Sequence, residues 1–330
     1  ARADQIAGFA AAEQQRTSSR GTRRALPRSM PFHHHGLSET RRLGVATWIN
    51  LQHLARCAAS TYHVIMSHRQ SRLPQQPTPP NPANAPSARF FPTVGLSPGM
   101  RVLDLGCGNG DLSRMVAALV GPDGEVVGID RSEDALTAAR ATPGAAGSAP
   151  IHYQVADLAG ALPDLGRFDA IVARRVLMYL PHAAATLARL ARLAKPGAIL
   201  ALQEHARADL PCGPDPLPVH RQYYSLMWNT IVAEGGDVTL GYRLAALARD
   251  AGFTIEQARS EGVLLQPWEP SFLTTLARFM LPRMIDKGVV RAGEIDHDAL
   301  APRIEEEQRN SSGAICWDLA FLVSGRFNGG

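Results

Sequence analysis

The chain has 330 residues, of which 45% are hydrophobic, and it carries a formal net charge of +4. This composition fits a globular protein with a buried core and excludes a wholly disordered chain. No apolar stretch approaches the roughly 20 residues that a membrane-spanning helix needs, so we expect no membrane partner. The four cysteines show no CxxC spacing, which argues against a zinc knuckle or a disulfide framework. They fit a reducing compartment, and we expect a cytoplasmic protein without a bound metal.

Residues 1–88 differ from the rest of the chain because they are basic and, towards their end, rich in proline. Only three acidic residues oppose their many arginines. Apolar residues at loosely helical spacing allow one or two helices within 39–68, and the proline-rich run 73–82 reads as an extended linker. A basic arm can contact nucleic acid or an anionic membrane. We expect instead a largely disordered, solvated N-terminal arm, and no nucleic-acid partner.

From residue 89 onward, strand and helix patterns alternate. The predicted helices have apolar residues at helical spacing and cover residues 112–120, 132–141 and 184–194. The predicted strands are short apolar runs at residues 101–105, 125–129, 151–155, 168–173 and 198–203. Strands joined by helical crossovers form a parallel sheet that is covered on both faces. The sequence therefore predicts a doubly wound α/β domain over residues 89–330.

Past residue 204 this alternation breaks down. Residues 209–218 are rich in proline and glycine, and residues 219–234 have a helical pattern. We interpret residues 209–234 as a helical lid inserted after the fifth strand. The remaining predicted elements are helices at 240–251, 269–287 and 298–308 and strands at 253–259 and 315–324.

The first predicted strand leads into a glycine-rich turn, VLDLGCGNG, in which Gly106, Gly108 and Gly110 alternate with other residues. Ligands bind at the carboxyl ends of the strands of an open α/β sheet, and glycines there let a ligand touch the backbone. A dinucleotide-binding turn has the spacing GxGxxG and cradles a pyrophosphate. Here the spacing is GxGxG, and Asp104 would repel a pyrophosphate but attract an amino group or a positive centre.

Two more carboxylates follow the next two predicted strands. Asp130 ends the second strand, where an acidic side chain can accept hydrogen bonds from both hydroxyls of a ribose. Asp157 follows the third strand and can accept a hydrogen bond from an exocyclic amine. Together with Asp104, these residues describe a nucleoside with a cationic, amine-bearing tail.

Six segments between residues 95 and 204, in this order, resemble the motifs of the class I methyltransferases that use S-adenosylmethionine. They read VLDLGCGNG, VGID, VADL, FDAIV, LMYL and LAKPGA. The resemblance implies a Rossmann-like, seven-stranded sheet whose last strand, here 315–324, runs antiparallel. It also implies S-adenosylmethionine as the cofactor and methyl transfer to an O, N or C nucleophile. We expect a small organic acceptor of the secondary-metabolite or cofactor kind, and the sequence leaves the oligomeric state open.

The resemblance also assigns the cofactor site residue by residue. Asp104 would hold the amino group of the methionine moiety, Asp130 the ribose hydroxyls, and Asp157 with Leu158 the adenine. Arg174, at the end of the fourth strand, would line the methionine carboxylate or the mouth of the substrate site. The complete predicted set is Asp104, Gly106, Cys107, Gly108, Gly110, Asp130, Arg131, Asp157, Leu158 and Arg174.

Glu204 and His205 end the fifth strand, beside the position that the resemblance gives to the methyl group. His205 could be the general base that deprotonates the acceptor, or it could only shape the pocket. Glu204 could orient the histidine or the substrate. Tyr223, Tyr224 and Trp228 fall on one helix of the predicted lid, where they either contact the substrate or pack the lid onto the sheet.

Three other functions can be weighed against methylation of a small molecule. The domain could bind S-adenosylmethionine without transferring its methyl group, and analysis of products by mass would discriminate the two. A nucleic-acid methyltransferase is disfavoured because ARRV, at residues 173–176, stands where an Asn- or Asp-Pro-Pro-aromatic motif would read a flipped base. A nicotinamide dehydrogenase is disfavoured by the spacing of the glycines.

Overall fold

A computed structural model of the chain describes residues 80–329. The predicted disorder of the arm and its predicted helices at 39–68 lie outside these residues. Contacts divide the chain into two units, and the described residues belong to the second, Gln75–Gly330. No helix in this described part is long and apolar enough to cross a membrane.

The ordered domain begins before residue 89. A 3₁₀ turn, Pro82–Asn84, leads into helix α1, Ala85–Phe90. The Ser87 hydroxyl donates to Gln203 Oε1 at 2.5 Å, and Gln203 Nε2 donates to the carbonyl of Ala83 at 2.9 Å. A domain boundary at residue 88 is therefore too late, because residues 82–88 already pack against the sheet.

Seven strands form one sheet in the order β3-β2-β1-β4-β5-β7-β6. They are β1 Arg101–Leu105, β2 Glu125–Asp130, β3 Ile151–Val155, β4 Phe168–Arg174, β5 Ala194–His205, β6 Phe253–Leu265 and β7 Ile315–Phe327. Strands β1 to β5 pair in parallel, whereas β7 is antiparallel to both β5 and β6. The predicted doubly wound sheet with an antiparallel last strand is thus confirmed. The strand order reverses at β1, which places a ligand crevice at its carboxyl end.

Alternate residues of the central strands face opposite layers, as the two-residue period of a strand requires. Leu103 and Leu105 of β1 belong to one buried cluster, and Val102 belongs to the other. The helices that cover the two faces are α2 Asp111–Val120, α3 Glu133–Ala141, α4 Ala183–Ala191, α5 Pro218–Ala233, α6 Leu240–Asp250, α7 Phe272–Asp286 and α8 His297–Asn310. Strands that are apolar on both sides are therefore buried on both sides.

The predicted lid is part of a larger helical layer. Helix α5 lies within the predicted span 209–234, but it packs against α7 and α8, which are inserted between β6 and β7. The apolar spacing predicts both of these helices but does not assign them to the lid. Whether the layer opens and closes as a lid stays a prediction.

Candidate functional site

Two adjoining cavities open at the carboxyl ends of the parallel strands. Cavity A, of about 370 Å³, lies between the glycine turn, the ends of β4 and β5, and helices α5 and α7. Cavity B, of about 480 Å³, lies at the ends of β2 and β3. Gly106, Arg175 and Tyr179 line both cavities. One elongated ligand, or two ligands end to end, can therefore occupy them together.

The glycine turn provides a bare backbone surface at cavity A. Gly108 has a φ of +53°, and a Cβ placed on it would have nothing within 4 Å, so that space is open to a ligand. Gly110 is different, because a Cβ there would lie 2.2 Å from the Tyr153 hydroxyl oxygen. Gly110 lines neither cavity. The absence of a side chain at Gly110 is therefore needed for the packing of Tyr153, and its contact with the cofactor stays a prediction.

Asp104 lines cavity A and is almost completely buried. Its Oδ2 accepts a hydrogen bond from the Ser113 hydroxyl at 2.6 Å, whereas Oδ1 has no partner within the described part of the chain. Burial raises the pKa of the Asp104 carboxyl to about 7. A buried carboxylate oxygen without a donor is unfavourable, and an ammonium group in cavity A would satisfy it.

Asp130, Arg131, Asp157 and Leu158, all predicted cofactor contacts, line cavity B together. Asp130 Oδ2 accepts from the backbone N–H of Gly108 at 2.9 Å, and Oδ1 accepts from that of Ser132 at 2.9 Å. Each carboxylate oxygen can accept a second hydrogen bond, so two ribose hydroxyls can still be bound. This carboxylate therefore also fixes the glycine turn.

Cys107 and Arg174, both predicted cofactor contacts, line cavity A. Burial raises the pKa of the Cys107 thiol, which keeps it neutral and favours the packing role over a nucleophilic one. Arg174 Nη2 lies 3.9 Å from Asp111 Oδ2, and burial lowers the pKa of this guanidinium. Arg174 thus places a positive charge beside Asp104 in the lining of cavity A, and the carboxylates of Asp104 and Asp111 balance this charge.

His205 lines cavity A, and its partner comes from the opposite end of the chain. Its Nδ1 lies 2.8 Å from Asp318 Oδ2, whereas Nε2 is buried and has no partner among residues 80–329. Because an ionised carboxylate can only accept, Nδ1 carries a proton in this contact, and in the neutral form of the ring Nε2 then has a lone pair. The histidine and aspartate thus have the arrangement of a general base and its orienting group.

The prediction that Glu204 orients His205 is wrong. Neighbouring residues on a strand point to opposite faces, so Glu204 turns away from His205 and lines neither cavity. Its Oε1 accepts from the backbone N–H groups of Val176 at 2.8 Å and Leu177 at 2.7 Å. Burial raises the pKa of the Glu204 carboxyl to about 7. Glu204 therefore holds the turn that follows β4.

Of the three aromatic residues predicted to contact substrate, the structure places only Trp228 at cavity A. Tyr223 stacks on Trp317 with the ring centroids 5.8 Å apart, and Tyr224 meets the edge of the same indole at 5.2 Å. Both tyrosines are buried and line neither cavity, so they pack α5 onto β7.

Strand β7 and helix α7 bring to cavity A several residues that were not predicted as site residues. Trp317 and Asp318 come from β7, and Leu276 and Met280 come from α7. The apolar spacing of α7 predicted a helix but gave no sign of what it faces. No group of three or more His, Cys, Asp or Glu residues within 80–329 is arranged to hold a metal ion.

Residues 96–238 match a family model described as a methyltransferase domain. Over 201 residues the chain is 33% identical to the trans-aconitate 2-methyltransferase of Methylobacterium nodulans, and the match covers 58% of this chain and 68% of that protein. It is 32% identical over 178 residues to an uncharacterized transposon protein of Streptomyces fradiae, a match covering 52% of this chain and 50% of that protein.

A third relative is the nocamycin O-methyltransferase of Saccharothrix syringae, with 33% identity over 135 residues, 41% of this chain and 45% of that protein. The chain thus spans from less than half to about two thirds of the length of these relatives. The glycine turn, the acids at the strand ends and the sheet order agree with these matches. We conclude that the chain belongs to the class I methyltransferases, which use S-adenosylmethionine.

Proposed function

We propose that the protein transfers the methyl group of S-adenosylmethionine to a hydroxyl oxygen of a small, largely apolar organic molecule. The observation that carries this proposal is the His205–Asp318 pair: His205 lines cavity A, and its Nε2 has no hydrogen-bond partner among residues 80–329. A carboxylate acceptor is already ionised at neutral pH and needs no base, whereas a neutral hydroxyl is a weak nucleophile that gains most from one.

The residues of both cavities fit the cofactor. Asp104 Oδ1 is free for the ammonium group, the open face of Gly108 leaves room for the tail, Asp130 has acceptor capacity for the ribose, and Asp157 can accept from the adenine amine. When bound, S-adenosylmethionine supplies an electrophilic methyl group on a sulfonium. The protein has to orient the acceptor, exclude water and remove a proton.

His205 removes that proton. In its neutral form, Nε2 accepts the proton of the acceptor hydroxyl, and the ring becomes an imidazolium. The Asp318 carboxylate, 2.8 Å from Nδ1, stabilises this cation and holds the ring in place. The Tyr224 hydroxyl, 3.5 Å from Asp318 Oδ1, adds a second contact to the carboxylate.

The remaining wall of cavity A favours a small acceptor with an apolar body. Met227, Trp228 and Ile231 of α5 face Leu276 and Met280 of α7 across it. A cavity of about 370 Å³ is at the small end of the range for ligand sites, which is about 300–1,000 Å³. Relatives named trans-aconitate 2-methyltransferase, nocamycin O-methyltransferase and ubiquinone biosynthesis O-methyltransferase support the small-molecule class.

Product analysis tests the function directly. The protein is incubated with methyl-deuterated S-adenosylmethionine and a library of phenols, enols, alcohols and amines of matched size. We expect S-adenosylhomocysteine to form together with a product that carries the label on oxygen, located by fragmentation in the mass spectrometer. A label on nitrogen or carbon contradicts the proposal. Tight cofactor binding without any S-adenosylhomocysteine supports instead a protein that binds the cofactor without transferring its methyl group.

Cofactor affinity should depend on the protonation of Asp104. Because the pKa of this carboxyl is about 7, only its ionised form, which dominates above that pH, attracts an ammonium group. The affinity for S-adenosylhomocysteine should therefore rise about tenfold between pH 6 and pH 8. Calorimetric titration across this range measures it.

The matched variants are Asp104→Asn and Glu204→Gln. Asp104→Asn should bind weakly and lose the pH dependence. Glu204→Gln should keep it, because Glu204 has a pKa raised to a similar value but lines neither cavity. If the affinity of Asp104→Asn for S-adenosylhomocysteine rises with pH as it does in the unmodified protein, another group controls binding.

A further inference from the structure

We infer that the acceptor is a hydroxy acid, and that Arg175 binds its carboxylate while the hydroxyl is presented to His205. The inference rests on the proposed function and deepens it, because it names the second group of the acceptor. Its first support is the position of Arg175, directly after β4, where it lines both cavities at their junction.

The backbone of Arg175 is held in an unfavourable conformation. Its φ of +62° makes it the one residue other than glycine with a positive φ in the described part of the chain. This conformation is strained for an arginine and persists only where neighbouring contacts impose it. The Arg175 N–H donates to the carbonyl of Gln203 at 2.7 Å, and Glu204 holds the next two N–H groups. The turn thus directs this side chain towards the cavities.

No salt bridge within residues 80–329 neutralises Arg175, and the carboxylates of Glu204 and Asp111 act on its guanidinium only from beyond salt-bridge distance. Its Nη2 donates to Asn84 Oδ1 at 2.9 Å, but no carboxylate oxygen of residues 80–329 forms a salt bridge with it. Burial lowers the pKa of the guanidinium to about 10, so it remains cationic at neutral pH. A cation removed from water without a partner is unfavourable, and a ligand carboxylate would compensate it.

The two other arginines of cavity A already have carboxylate partners. Arg174 lies 3.9 Å from Asp111, and Arg283 forms a two-pronged contact with Glu234 at 2.8 and 2.5 Å. Arg174 is also close enough to Asp104 to influence its carboxyl. Asp104 and Arg174 together complement the ammonium and carboxylate of one amino acid, as in the methionine moiety of the cofactor. The remaining cation, Arg175, is therefore available to the acceptor.

A binding experiment with matched probes tests the inference without turnover. Salicylate carries a carboxylate beside a hydroxyl, and salicylamide replaces the carboxylate by a neutral amide of the same shape. Each is titrated into the protein saturated with S-adenosylhomocysteine, and the fluorescence of Trp228 and Trp317 at cavity A reports occupancy. A carboxylate–guanidinium contact predicts about tenfold tighter binding of the acid.

Three variants separate the roles of charge and fold. Arg175→Gln should remove the preference for the acid, and Arg175→Lys should retain part of it because the charge remains. Both should bind S-adenosylhomocysteine as the unmodified protein does. Arg278→Gln removes one positive charge from an exposed position of α7 and should leave the preference unchanged. Thermal melting of each variant checks that the fold is retained.

Two results would overturn the inference. Equal binding of acid and amide by the unmodified protein would show that no anion site exists. A tenfold loss of S-adenosylhomocysteine affinity in Arg175→Gln, with the acid preference retained, would assign Arg175 to the cofactor. Both results come from binding measurements, so neither requires that methyl transfer takes place. Labelling on nitrogen in the product analysis would refute the proposed O-methylation but would leave a measured carboxylate preference standing.

Discussion

Replacing His205 by glutamine lowers kcat about 10²- to 10⁴-fold, the usual contribution of a positioned general base. Glutamine has a similar reach, but its amide cannot accept a proton at neutral pH. The affinity for S-adenosylhomocysteine should stay the same, because the predicted cofactor contacts lie on other residues. Steady-state kinetics on the acceptor found by product analysis, together with calorimetric titration of S-adenosylhomocysteine, measure both quantities.

Asp318→Asn is the companion variant. An asparagine amide can donate to Nδ1 of His205, which would move the ring proton to Nε2 and leave no base in cavity A. Its kcat should therefore fall nearly as far as that of His205→Gln, and the double variant should show little further loss. His152→Gln is the control, since this histidine is exposed on β3 away from both cavities. If His205→Gln retains its kcat, the histidine only shapes the pocket.

The second large effect is expected for Asp130→Ala, which should weaken binding of S-adenosylhomocysteine about a hundredfold or more. Each hydrogen bond to a charged group contributes about 1.5–3 kcal/mol, and the substitution removes two potential bonds to the ribose. It also removes the acceptor for the Gly108 N–H, so the glycine turn loses one of its fixed points. Calorimetric titration measures the affinity.

The domain should remain folded in Asp130→Ala, because the side chain is only partly buried and its two backbone donors lie beside an open cavity. Circular dichroism and thermal melting verify this. Asp134→Ala, which removes the same charge from an exposed position of α3, is the matched control and should bind normally. Undiminished affinity in Asp130→Ala would refute the ribose assignment.

Much of the fold and of the cofactor site could be predicted from sequence because it depends on short-range patterns. The glycines and Asp104 lie within one strand and the turn that follows it. In a parallel sheet the ends of consecutive strands meet at one edge, so Asp130 and Asp157 could be placed near the turn without coordinates. The alternation of strands and helices then predicted right-handed crossovers between parallel strands.

The acceptor side of the site could not be predicted in the same way. His205 and Asp318 are 113 residues apart, and only the antiparallel pairing of β5 with β7 brings their side chains together. Strand β7 also brings the backbone of Cys316 into an antiparallel β-bridge with that of Cys212, although the spacing of these two cysteines gives no sign that they are neighbours. Sequence proximity suggested Glu204 as the partner of His205, but the alternation of a strand turns it to the other face.

The amino-acid sequence was enough to predict the class of fold and the cofactor, and to bring Asp104, Asp130 and Asp157 to the two cavities, because each of these follows from patterns local to a strand and the turn after it. The three-dimensional arrangement was needed to show which histidine and which aromatic residues line cavity A, and which of its arginines has no salt bridge within residues 80–329. The physical reason is that burial and charge balance depend on all the segments that meet at a point. Here those segments come from the 3₁₀ turn Pro82–Asn84 and from β4, β5, α5, α7 and β7, far apart along the chain.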